Sequence, residues 1–159
     1  MTMTRIITAT FITLLLGNAG LAASPGTAPD ATGIGPARAA ACGDLLLGLK
    51  HKPPRLDFLG CRVDNVYGLD ALVADYRVEG RYAGTIERYF SKAANMPALG
   101  FYCCGWDSIG AVGRDGWLRD GVTSYEISMG SGETLLNRRE DWPRIPWFSV
   151  RVTRYLEEP

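Results

Sequence analysis

Between Trp147 and Leu156, Phe148, Val150 and Val152 alternate with Ser149, Arg151, Thr153 and Tyr155. A repeat of two places the first set on one face of a strand and the second on the other. A chain with this segment has to build a sheet with one dry face and one wet face. Tyr125, Ile127 and Met129 alternate in the same way within Ser124–Met129. Residues 56–63 and 69–78 read as two further strands around the turn residues Asp64, Asn65 and Gly68, and Leu99–Trp106 as another.

Two segments follow a helical repeat instead. Cys42, Leu45, Leu46 and Leu49 fall on one helical face, with positive charge at Lys50-His51-Lys52 and a stop at Pro53-Pro54. From Gly80 to Ala94, Tyr82, Ile86, Tyr89, Phe90 and Ala93 share a face, while Arg81, Glu87, Arg88 and Lys92 lie off it. The order is therefore α-β-β-α-β-β-β. The simplest solution is an α+β fold, a single antiparallel sheet of about five strands with both helices on one face. Two connections, 107–122 and 131–146, are long, a length uncommon unless the loop is functional or mobile.

The N-terminus carries a different signal. Arg5 is followed by an apolar run from Ile6 to Leu16 and then by small residues through Ala22 and Ala23, the three parts of a secretory signal peptide. The apolar run is well short of the roughly twenty residues that span a bilayer as a helix. Residues 1–23 are therefore expected to be a signal peptide, with nothing to hold the chain in a membrane after cleavage. Residues 24–38, rich in Pro, Gly, Thr and Ala, read as a flexible leader. Residues 39–159 form the single domain, located in the periplasm or secreted.

The whole chain has 17 basic and 17 acidic side chains. Loss of the signal removes only Arg5, which leaves the mature chain near −1. Such a balance gives no electrostatic footprint for nucleic acid and no polybasic patch for anionic lipid. No cofactor signature is present: Gly130-Ser131-Gly132-Glu133-Thr134 lacks the spacing and the lysine of a phosphate-binding loop.

Four cysteines in an exported chain, Cys42, Cys61, Cys103 and Cys104, are disulfide candidates with three possible connectivities. Adjacent strand residues point to opposite faces, so a Cys103–Cys104 bridge needs a distorted backbone. Without that distortion, two bridges require Cys42 and Cys61 each to reach one of the adjacent pair. The alternative joins Cys42 to Cys61 and leaves a vicinal pair or two free thiols. A redox or metal role for the pair has little support, since there is no Cys-x-x-Cys and the only histidine, His51, is not at ligand spacing.

No catalytic set emerges. His51 sits at a lysine-flanked helix end, where a solvated role fits better than that of a base. Asp57, Asp107, Glu126 and Asp141 supply carboxylates, but a catalytic pair is defined by spatial separation. The segment Asn137–Phe148 combines Trp142, Trp147, Arg139 and Arg144 with two prolines. Tryptophan and arginine dominate binding hot spots, and a stiff loop loses little entropy on binding. This makes Trp142, Arg144, Trp147, Arg139 and, upstream, Trp106 the candidate binding residues. The competing account has Trp142 and Trp147 closing one end of the core.

Cys42-Gly43-Asp44, Phe58-x-x-Cys61, Tyr102-Cys103-Cys104-Gly105-Trp106 and Asn137-x-Arg139-x-Asp141-Trp142-Pro143-x-Ile145-Pro146-x-Phe148, continuing to Glu157, together resemble a small bacterial family known only as a domain of unknown function. The resemblance implies an exported bacterial domain and carries no catalytic residues. The expectation is a non-enzymatic binding module, such as an inhibitor or immunity-type partner of an envelope protein. The alternatives are a small envelope enzyme working through Asp or Glu carboxylates, or a structural or stress-related periplasmic protein.

Overall fold

The computed structural model describes residues 42–108, 116–121 and 123–156. The expected signal peptide and leader lie outside these residues. Among the described residues, no helix is long and apolar enough to cross a membrane.

The chain is mostly β. In order it forms α1 (Leu45–Gly48), β1 (Asp57–Val66), β2 (Leu69–Glu79), α2 (Gly80–Ala93), β3 (Gly100–Tyr102), β4 (Gly105–Asp107), β5 (Trp117–Asp120), β6 (Thr123–Ser131), a 3-10 helix (Arg139–Arg144) and β7 (Trp147–Tyr155). One antiparallel sheet runs in the order β1-β2-β7-β6-β4-β3. β4 and β5 lie end to end along the edge of β6 that β7 leaves free. Asp107 pairs with Gly130, the Ile127 amide donates to the Gly116 carbonyl at 2.7 Å, and Trp117 pairs with Glu126.

This corrects the five-strand α+β expectation in three places. The predicted strand Leu99–Trp106 is folded back on itself at Cys103, whose φ of 52° reverses the chain and makes two strands, β3 and β4. The predicted long connection 107–122 contains β5, which turns into β6 across Gly121 at φ 59°. The first helix is only four residues long, capped by the Asp44 carboxylate, which accepts from the Leu47 amide at 3.1 Å. Two full helices on one face are therefore not what covers the core.

β1 and β2 form the predicted hairpin, with Tyr67 and Gly68 as its turn at φ 54° and 87°. A two-residue turn with both angles positive matches the twist of the strands it joins. Ala74, Tyr76 and Val78 of β2 stand opposite Val152, Val150 and Phe148 of β7, and Ile127 and Met129 of β6 extend the same row. α2 presses Ala83, Ile86 and Phe90 onto this row, with Leu46 of α1 and Trp142 of the 3-10 helix beside it. The Tyr76 hydroxyl ties α1 to the sheet, accepting from the Leu46 amide at 3.1 Å and donating to Asp44 at 3.0 Å.

Cys42 and Cys61 form a disulfide, while Cys103 and Cys104 are free. The arrangement tying Cys42 and Cys61 to the adjacent pair is therefore overturned: the bridge joins the segment before α1 to β1, whereas β3 and β4 lie at the opposite edge of the sheet. The bridge closes a sequence separation of 19, for which chain entropy gives about 3 kcal/mol.

Candidate functional site

The residues chosen from the Asn137–Phe148 segment do not gather into one exposed patch. Trp142 and Trp106 are 4% and 5% exposed, their rings 5.1 Å apart and edge to face. Trp142 also packs on Phe148 at 5.2 Å. The Arg139 guanidinium lies 4.6 Å from the Trp142 ring and 5.6 Å from that of Trp106. Its two Nη atoms donate to both carboxylate oxygens of Glu87, at 2.7 and 2.9 Å, and it also reaches the Leu99 carbonyl at 2.6 Å. Glu87, read from the helical period as a solvent-facing residue, is only 6% exposed. It is drawn inward because Arg139 and the Leu99 amide, which donates at 2.7 Å, satisfy it there. Arg144 is exposed and paired with Asp141 at 3.0 Å, and Trp147 is 55% exposed.

The polar face of the sheet, turned away from the core, holds a different assembly. Residues directly opposite each other in a ladder share a face. Asp75 of β2 faces Arg151 of β7, and Ser128 of β6 faces Arg151 from the other side. Arg151 Nε donates to the Asp75 carboxylate at 3.0 Å, and Arg62 of β1 pairs with the same carboxylate. Arg62 also bonds Asp64 at 3.1 Å. One carboxylate thus holds two arginines across three strands. Burial pushes the Asp75 carboxyl up, but hydrogen bonds and charge from Arg151 and Arg62 outweigh it and hold the group below its usual range.

Next to this network, Asp75, Asp107, Ser128, Gly130, Ser149 and Arg151 line an open hollow of about 140 Å³. Gly130 allows β4 to approach: a Cβ there would come within 2.9 Å of the Trp106 carbonyl. Asp107 is pushed in the opposite direction from Asp75. Burial raises its carboxyl, only partly offset by a hydrogen bond from the Ser108 backbone, and among the described residues no ion pair compensates it. A second open hollow, about 310 Å³, adjoins Asp75 on its other side and is lined by Leu59, Gly60 and Arg62.

The remaining sequence candidates are accounted for locally. Asp57 pairs with Arg77 at 3.7 Å, and Glu126 accepts from the Tyr155 hydroxyl at 2.7 Å. His51 has its amide and carbonyl engaged, with Leu46 and with the Tyr89 hydroxyl. Ser131 Oγ accepts from the Trp106 amide at 2.9 Å and so fastens β6 to β4. No group of three His, Cys, Asp or Glu side chains that could hold a metal ion occurs among the described residues.

Sequence reading selected Asp107 but missed Asp75, Arg62, Ser128 and the partnership of Arg151. The signal was available in part. Asp75 interrupts an otherwise buried run from Ala71 to Tyr76, and it shares the parity of Arg77, so its charge had to lie on the wet face.

No curated protein and no solved structure matches the chain. The resemblance to a family without an assigned activity does hold. The matched stretch includes Cys42-Gly43-Asp44, Phe58-x-x-Cys61 and Tyr102–Trp106 and ends before the Asn137–Phe148 segment. Over residues 34–106 the chain matches the model of a family described as a domain of unknown function (DUF4952).

Proposed function

We propose that this protein is an exported, non-enzymatic binding module that engages a protein partner in the cell envelope through the polar face of its sheet. The observation that carries this reading is the Asp75–Arg62–Arg151 network with an open hollow on each side. Small-molecule sites are typically enclosed and largely apolar, at roughly 300–1,000 Å³. The hollow beside Asp107 is open, polar and about 140 Å³, a size suited to one side chain of a partner. A half-buried Asp107 with no ion pair among the described residues, lining the hollow with Ser128 and Ser149, favours a basic one. The Cys42–Cys61 bridge fits an oxidising compartment, periplasmic or secreted.

The test is affinity capture of the tagged chain from a bacterial envelope extract under non-reducing conditions, comparing wild type with Asp107→Lys, Arg151→Glu and, as a control away from the polar face, Arg144→Ala on the exposed side of the 3-10 helix. The expected result is one stoichiometric partner that survives Arg144→Ala and is lost with the other two. Capture that is indifferent to Asp107 and Arg151, or no partner at all, removes the proposal.

A second reading has its own observation. Asp75 and Asp107 line one hollow with their protonation pushed in opposite directions, a pattern found in acid–base pairs. It favours a small carboxylate enzyme, in which Asp107→Asn abolishes turnover without lowering the melting temperature. It is the weaker reading because both Asp75 oxygens are occupied by arginines.

A further inference from the structure

Cys103 and Cys104 form the tip of the β3–β4 hairpin, at the edge of the sheet farthest from the Cys42–Cys61 bridge. Their sulfurs are 2.8 Å apart and neither is in a disulfide. A disulfide bond is about 2.05 Å long, so closure requires an approach of less than an ångström. The backbone accounts for this proximity. The Cys104 amide donates to the Tyr102 carbonyl at 2.5 Å, and Cys103 has a φ of 52°. This is a three-residue turn of the strained, left-handed kind, which persists only where its surroundings hold it.

The surroundings do hold it. Phe101 pairs with Trp106 across the hairpin, and the Phe101 and Trp106 rings meet at 5.6 Å. The Thr134 amide donates to the Cys104 carbonyl at 2.7 Å. Cys103 is exposed, with the exposed ring of Tyr102 beside it in the chain. The turn thus presents the Cys103 thiol to solvent with the half-buried Cys104 thiol beside it.

We propose that Cys103 and Cys104 are a redox-active dithiol that closes reversibly to a vicinal disulfide by exchange with a small-molecule disulfide. The Cys103 thiolate attacks one sulfur of the external disulfide, forming a mixed disulfide and expelling one thiolate. The Cys104 thiolate then attacks the Cys103 sulfur and expels the second. The protein loses two electrons and two protons overall, and the external disulfide becomes two thiols. The order follows from exposure, and from the hydrogen bond to Cys103 that, with burial and nearby negative charge, raises the Cys104 thiol. This site is separate from the polar face of the sheet and does not depend on the binding proposal.

The test uses the full chain with its Cys42–Cys61 bridge intact, incubated with glutathione disulfide, acid-quenched, alkylated and digested with trypsin. Cys103 and Cys104 fall in one peptide between Lys92 and Arg114, and Cys42 and Cys61 fall in others. The expected wild-type peptide loses both alkyl groups, is two hydrogens lighter than the reduced form, and regains both on treatment with dithiothreitol. Cys104→Ser is expected to stop at a persistent glutathione adduct on Cys103. A wild-type peptide that stays doubly alkylated, retains glutathione, or becomes cross-linked to the Cys42 or Cys61 peptides overturns the proposal, and this readout does not require the Cys104→Ser variant to fold.

Discussion

Arg139 grips both carboxylate oxygens of Glu87, 52 residues earlier in the chain, while its guanidinium lies against Trp142 and Trp106. The pair locks α2 to the 3-10 helix, and the Leu99 carbonyl and amide bring the approach to β3 into the same node. Arg139→Ala leaves the carboxylate of Glu87 buried with only the Leu99 amide as partner, for an expected loss of roughly 2–3 kcal/mol. Arg139→Lys keeps the charge but loses the two-pronged geometry, so it should recover only part of this loss. Urea unfolding of the three proteins checks both statements. Equal stability of wild type and Arg139→Ala would mean that the ion pair does not form.

Trp142 separates a binding role from a structural one. Its ring is buried between Trp106 and Phe148, so Trp142→Ala is expected to cost about 3–5 kcal/mol of folding stability. The indole Nε1 is buried without a hydrogen-bond partner among the described residues. Trp142→Phe therefore gives up volume but no hydrogen bond, and should cost about half as much or less. Thermal unfolding followed by circular dichroism distinguishes the two. A Trp142→Ala protein as stable as wild type would return this side chain to the surface.

The parts of the fold readable in the sequence are those where one element decides alone. The alternation in Ser124–Met129 and Trp147–Leu156 and the helical period of Gly80–Ala94 each reflect burial against the same core, and each segment formed within a few residues of its expected ends. The turn at Cys103 was hidden because no Gly, Asn or Pro marks it; surrounding structure imposes its left-handed backbone. β5 was hidden by its four-residue length, although Gly116 and Gly121 bracket it at positive φ. Glu87 looked solvent-facing because its partner lies far along the chain. The wet face was expected, but Asp75, Arg62, Arg151 and Asp107 become a site only through strand register, which a single sequence does not specify.

Gly80 opens α2 directly against the backbone of the 3-10 helix. A Cβ at this position would lie 2.0 Å from the Trp142 carbonyl and 2.2 Å from that of Ile145. Replacing a helical glycine with alanine ordinarily stabilises by up to about 1 kcal/mol. Here the sign should reverse, with a loss of roughly 3 kcal/mol, because backbone on the far side has to move. Gly84→Ala, where the nearest atoms are side-chain atoms at 3.5 Å or more, serves as the control and should be neutral or stabilising. A stabilised Gly80→Ala protein would show that α2 does not pack this closely.

Asp75 and Asp107 should pull the pH dependence of stability in opposite directions. The folded Asp75 carboxyl titrates below its ordinary 3.8, so the folded state holds its proton less tightly than the unfolded chain. Its contribution is complete above 3.8 and is lost as the pH falls through the folded value. Asp44 is also lowered: burial raises it, but its bonds from Lys52, Leu47 and Tyr76 outweigh that. It adds to the same acid limb. Asp107 titrates above 3.8, so its contribution is present at low pH and is lost as the pH rises through its folded value. Asp75→Asn should lower stability near neutral pH by about 1 kcal/mol, the scale of partly exposed ion pairs, and flatten the acid limb. Asp107→Asn should raise stability near neutral pH, because it removes a partly buried charge that has no ion pair among the described residues. Denaturant midpoints for the three proteins between about pH 3 and about pH 7 decide the matter. An unchanged acid limb in Asp75→Asn would mean that the two arginines do not hold this carboxylate, and destabilisation by Asp107→Asn near neutral pH would mean that a cation already compensates Asp107.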